Sequence, residues 1–205
     1  MSEGIGARVL RKEDKRFITG KGRYTDDIIE SNQAYAAFVR SPHAHARIVS
    51  VDSSAALAME GVETVLTGPE LVADGIGNII CGWGITSKDG NPMNMGAWSA
   101  LATEKVRYVG DAVAIVVADS KAQAKLASEA VVVTYEELPV VVGSVEALAP
   151  SAPKIHDNAP GNLIFDWEIG DLAPTDAALA SAAHVTEMEI TNNRLAPNPM
   201  EPRSA

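Results

Sequence analysis

The residues whose types and spacing could do chemistry begin with His43 and His45, in Ser41-Pro42-His43-Ala44-His45-Ala46. On a strand, an H-x-H pair points both rings to one face, where they could share a metal ion. No further cluster of His, Cys or carboxylates lies nearby in sequence to complete a coordination set. Polar positions at a strand turn or an interface are the simpler reading. His156, in a proline-rich stretch, and His184, at a strand start, each stand alone and read as structural. Cys81, in Ile80-Cys81-Gly82-Trp83-Gly84, has no neighbouring base to favour a thiolate, so it reads as a packed or loop thiol. Gly20-x-Gly22 lacks a third glycine and a preceding apolar strand. Gly75-Ile76-Gly77 has no capped helix after it, and no phosphate-binding G-x-x-x-x-G-K-[ST] occurs. Asp26-Asp27 and Glu136-Glu137 are adjacent pairs, which a strand would send to opposite faces, so neither forms an acid/base dyad. Near the end, Pro197, Pro199 and Pro202 space an extended path holding Glu201 and Arg203, suited to a domain-contact ion pair, support of a site, or addition to a sheet edge. The expected catalytic, cofactor-binding and metal-ligating sets are therefore all empty.

The elements that position these residues follow from periodicity and punctuation. Residues 34–40 (AYAAFVR) read as a strand ended by Ser41-Pro42, and 46–52 (ARIVSVD) as a second. Ser53 or Ser54 then caps a short helix that stops at Gly61, and 62–67 return as a strand. A similar unit follows about 67 positions later: apolar 112–118 (AVAIVVA), a helix opened by Ser120 with Gln123 in capping-box spacing, and a strand over 131–136. On that helix Ala122, Leu126 and Ala130 form the predicted apolar stripe. Two strand–helix–strand crossovers imply right-handed parallel pairs. Between the units, residues 75–100 hold six glycines and no period; so long a loop is usually functional or ordered by a partner. Residues 149–161, with three prolines, read as a linker. Beyond it, Leu163, Phe165, Trp167 and Ile169 alternate with polar or smaller neighbours as a half-buried strand, 175–183 form an alanine-rich helix, and 184–192 a last strand.

Composition bounds the function. The 205 residues allow one domain and part of another. A net charge of −10 argues against nucleic acid, the single cysteine excludes an internal disulfide or zinc cluster, and no apolar run nears the roughly 20 residues of a membrane span. The first residues carry no secretory pattern, so a cytoplasmic setting is expected.

Ordered motifs then point to a family. Residues 16–27 (RFITGKGRYTDD), 38–48 (FVRSPHAHARI), 106–114 (VRYVGDAVA), 133–139 (VTYEELP) and 167–171 (WEIGD) succeed one another, and Arg194 precedes Pro199-Met200-Glu201-Pro202. The chain resembles the N-terminal part of the molybdenum-binding large subunit of the xanthine dehydrogenase, aldehyde oxidase and carbon monoxide dehydrogenase family. The resemblance implies a mixed α/β hammerhead domain over 1–148, a linker over 149–161, and the opening strands of a molybdopterin-binding domain over 162–205. It also implies a molybdenum hydroxylase that oxidises an aldehyde, an N-heterocycle or CO with water-derived oxygen. Its molybdopterin would be bound by the complete subunit, with [2Fe–2S] clusters and FAD on partner chains. The family's pterin-contacting motifs and catalytic glutamate lie downstream of such a Met-Glu-Pro-Arg segment, so no molybdenum-site residue is carried onto this chain. Its expected task is to pack around the cofactor domains, as a split subunit or a piece of one. The rival expectation is a stand-alone, non-catalytic assembly or binding module with a hammerhead fold.

Overall fold

A computed structural model describes residues 4–96, 98–193, 195–199, 201 and 203–204. Arg194, Met200 and Pro202, part of the terminal motif, lie outside the described residues. Among the described residues the elements run α1 (Asp14–Ile18), a 3-10 turn (Thr25–Asp27), β1 (Tyr35–Arg40), β2 (Ala46–Asp52), α2 (Ser54–Leu57), β3 (Val62–Thr67) and α3 (Gly68–Ala73). There follow β4 (Lys105–Val106), β5 (Ala112–Ala118), α4 (Lys121–Ala130), β6 (Val132–Glu137), α5 (Ser144–Ala147), a second 3-10 turn (Pro160–Asn162) and α6 (Leu172–Ser181). Contacts divide the chain into two units. One joins residues 4–33 to the described residues from His184 onward; the other is Ala34–Ala183 and contains all the strands.

The strands form two three-stranded sheets, ordered β1-β5-β3 and β4-β2-β6, and every pairing is antiparallel. This corrects the expected parallel crossovers. Each strand–helix–strand unit starts in one sheet and ends in the other: β2 and β3 are separated, as are β5 and β6. The first connection is shorter than the dozen or so residues a parallel crossover needs. In the second, both edges of β5 are already occupied by β1 and β3, so β6 has no edge to join.

β5 is the structural centre, and its apolar run reflects burial of both faces. Ala114 and Val116 pack with Ala56, Val65, Ala127 and Val131 under the helices, while Val113 packs with Ala46, Ala102 and Val106 of the second sheet region. Partly buried Val51 and Val133 touch both clusters and join them.

α4 begins as expected: the Ser120 hydroxyl accepts the Gln123 N–H at 3.3 Å. Its buried face is Ala124, Ala127 and Ser128, not the expected stripe through Leu126, which is exposed. Small side chains let the helix approach the sheet closely, and a leucine has no room there. α3 went unforeseen although its signal is present: Glu70 reaches back to the Thr67 N–H at 2.7 Å, with a proline in the first turn. α6 starts three residues earlier than predicted, with Pro174 tolerated near its start.

The alternating segments 163–169 and 184–192 form no ladder among the described residues, which corrects both strand expectations. Alternation marks a face that a sheet partner would bury, and no described strand supplies one. Leu163, Phe165 and Trp167 are accordingly 42%, 39% and 57% exposed.

Gly68 tests the packing. A Cβ there would stand 2.3 Å from the Ala102 carbonyl oxygen, a backbone atom that cannot swing away. Gly68→Ala is expected to lower stability by about 1–3 kcal/mol in urea unfolding, whereas the exposed Leu126→Ala changes it by only about 0.5 kcal/mol. Equal effects would show that the close approach of α3 is not a constraint.

Candidate functional site

The end of the second sheet brings His43 and His45 beside Glu137 and Pro139. His43 and His45 precede β2 in an irregular segment, so they do not share a strand face. His43 lies 3.7 Å from the Glu137 carboxylate and tilts against the Tyr135 ring. His45 is 5% exposed, and its Nδ1 stands 2.8 Å from the Pro139 carbonyl oxygen. A carbonyl only accepts, so Nδ1 donates in this contact. Nε2 is buried without a partner among the described residues, a place that suits an ordered water. The two rings therefore serve different neighbours.

The remaining candidates disperse. Glu136 pairs with Arg47 across β2 and β6 at 3.3 Å. The Asp27 carboxylate accepts the Tyr24 N–H at 2.9 Å, closing a local cap. Cys81 is exposed and points its thiol at the Trp83 carbonyl. In the other unit, the Glu201 carboxylate accepts the Thr25 N–H at 3.1 Å.

A cleft of about 210 Å³ opens beside β4, where residues 98–102 and the turn from Lys105 to Asp111 meet Ile79 and the distant His156. The turn is made by Gly110 at φ +92° and by the Asp111 carboxylate, which accepts the Arg107 N–H at 3.0 Å. Arg107 Nε donates to the Ile155 carbonyl at 3.1 Å and a terminal nitrogen to Lys105 O at 3.4 Å. Lys105, its side chain only 19% exposed, pairs with Asp157 at 3.1 Å and holds that carboxyl below the usual range. His156 tilts against Trp98 at 5.8 Å between centroids, and Gly96 lies so close that a Cβ would sit 2.8 Å from its Nδ1. Burial, then the Arg107 charge, pushes His156 below the normal imidazole range. Burial raises the Tyr108 hydroxyl, with Asp111 adding to it.

The long loop finds its partner in the same unit. Thr86 bridges Pro92, the Asn94 N–H donates to Ile164 O at 2.7 Å, and the Lys88 N–H to Asp166 O at 2.7 Å. Lys88 also pairs with the Asp166 carboxylate. The sequence had shown His156 only as a lone histidine and Arg107, Tyr108 and Asp111 only as parts of a family motif. Nothing local signalled that they converge, since the contacts span some fifty positions.

Residues 19–139 match the family model of the aldehyde oxidase and xanthine dehydrogenase a/b hammerhead domain. The chain belongs to the aldehyde oxidase and xanthine dehydrogenase family. Residues 155–205 match the molybdopterin cofactor-binding domain model. The carbon monoxide dehydrogenase large chain of Afipia carboxidovorans is 38% identical, over 97% of this chain and 25% of that protein. The nicotine 6-hydroxylase large subunit of Paenarthrobacter nicotinovorans is 37% identical, over 97% and 23%. Among solved structures, CO dehydrogenase from Oligotropha carboxidovorans superposes with a TM-score of 0.66 at 38% identity, covering 88% of this chain and 23% of that one. Quinoline 2-oxidoreductase from Pseudomonas putida gives 0.66 at 38%, covering 86% and 21%. The chain thus spans about a quarter of the length of the curated relatives it matches.

The second match implies a molybdopterin group. Among the described residues no three His, Cys, Asp or Glu side chains are grouped to hold a metal ion. Residues 163–193 form no sheet and are mostly exposed, so they build no walls around a pterin. The described residues of this segment do not by themselves enclose such a group. No helix among the described residues is long and apolar enough to cross a membrane.

The depressed His156 predicts a pH dependence of known sign. Its folded pKa lies below the unfolded value of about 6.5, so the unfolded chain binds the proton more tightly and stability falls as pH drops below that value. The melting temperature of the wild type is expected to fall more between pH 7 and pH 5 than that of His156→Phe. Parallel losses would assign the acid sensitivity elsewhere.

Proposed function

We propose that this chain is the hammerhead portion of a molybdenum hydroxylase large subunit, whose complete form oxidises an aldehyde, an N-heterocycle or CO with water-derived oxygen. The succession of a hammerhead match over 19–139 and a molybdopterin-domain match from 155 onward carries this reading. In it, residues 1–148 are the hammerhead, 149–161 the joining segment and 162–205 the opening of the cofactor domain. The chain supplies no catalytic residue; it packs beside the cofactor domains and contributes walls around them. The molybdenum centre, when bound by the complete subunit, supplies the oxygen-transfer chemistry, and electrons leave through [2Fe–2S] clusters and FAD on partner chains in the cytoplasm. The exposed apolar side chains of Leu163, Phe165 and Trp167, and separately those of Val185, Met188 and Ile190, are what a cofactor domain completed by further chain would cover.

Metal analysis tests this directly. The 205-residue chain purified alone is expected to hold no molybdenum, and to co-purify with it when expressed beside polypeptides carrying the remaining three quarters of a large subunit. Stoichiometric molybdenum on the chain alone would contradict the assignment.

A further inference from the structure

The cleft beside β4 holds two cations, Lys105 and Arg107, and two carboxylates, Asp111 and the neighbouring Asp157. Lys105 is engaged by Asp157, and the Asp111 carboxylate is turned to the Arg107 main-chain N–H. The half-buried Arg107 guanidinium meets only two neutral carbonyls, those of Ile155 and Lys105. It has five N–H donors, and among the described residues no carboxylate lies within ion-pair distance of it. A half-buried guanidinium with donors to spare and no direct side-chain ion pair suits a planar, two-pronged anion. The apolar residues lining the cleft are Ile79, Trp98, Ala100 and Ala102. The space of about 210 Å³ is adequate for a ring, since roughly 150 Å³ admits benzene.

We propose that this cleft binds a small planar monocarboxylate, its ring against Trp98 and the lining alanines and its carboxylate on the Arg107 guanidinium. The assignment does not depend on the molybdenum reading. It carries a proton signature. The charged and titratable groups around His156 are Arg107, the Lys105–Asp157 pair, Asp111, Tyr108 and His45. Burial first, and then the Arg107 charge, opposes protonation of His156, and an anion bound to Arg107 removes the second of these. His156 then takes up a proton more readily in the complex, and by linkage the anion binds more tightly as pH falls through the histidine range.

The probe is sodium benzoate, titrated calorimetrically into the full chain at pH 6 and pH 8, with benzamide as its uncharged twin and acetate as its ringless one. Benzoate is expected to bind at least about tenfold more tightly than either, with saturable shifts of the Trp98 indole resonance. Its affinity should be at least about threefold higher at pH 6 than at pH 8. Arg107→Lys, which keeps the charge and loses the fork, should weaken benzoate by at least about fivefold. Because Arg107 also holds Ile155, His156→Gln is the second variant: it should retain benzoate binding and lose the pH dependence. Benzamide binding as tightly as benzoate, an affinity unaltered by pH, or no shift at Trp98 up to about 20 mM would each overturn the proposal.

Discussion

One asparagine ties down residues 147–162, which run from the gap between the two family matches into the start of the second. Asn162 sits in the left-handed region at φ +57°, a conformation asparagine tolerates better than most residues. From there its side-chain oxygen accepts the Ile155 N–H, and its amide donates to the carbonyls of Ala147 and Pro153, all at 2.9 Å. The end of α5 and the proline-interrupted chain after it, which has no ladder of its own, are thereby folded onto a single side chain. Arg107 adds the bond to Ile155, and Lys105 the pair with Asp157, so the stretch is fastened to β4 as well.

That fastening has consequences on both sides. Upstream, it brings His156 under Trp98 and so closes the cleft. Downstream, it delivers residues 163–166 alongside the loop of residues 85–94, which borrows their carbonyls in place of a strand partner. The wider loop of residues 75–100, with six glycines, is otherwise entropically expensive to order. The antiparallel topology supports this from beneath. Because each crossover passes from one sheet to the other, β5 is covered on both sides, and the short β4 lies at the edge of the second sheet, open to what joins it.

Much of this architecture was legible in the residues, and what was not has a common cause. The bounds of β2, β3 and β5 follow from apolar runs and turn residues, and the cap of α4 from Ser120 and Gln123. Pairing partners are non-local, so a strand–helix–strand order suggested parallel neighbours where the first connection is too short to allow them. The buried face of α4 escaped because its residues are small, and hydrophobic periodicity weights Leu126 above Ala124 and Ala127. Alternation over 163–169 and 184–192 suggested half-buried strands, but a pattern cannot provide the second strand that makes a ladder, and burial does not alternate in either segment. The family motifs carried the assignment, while the cleft was invisible because Trp98, Arg107 and His156 have no shared local signature.

The central claim is that residues 153–166 are built into the hammerhead unit through Asn162 and Arg107. Amide hydrogen exchange measures it residue by residue. The amides of Ile155 and Asn94, bonded to Asn162 and Ile164, are predicted to be protected and to lose protection together in Asn162→Ala while β5 stays protected. Exchange of both amides at the rate of an unstructured chain in the wild type, beside a protected β5, would contradict it.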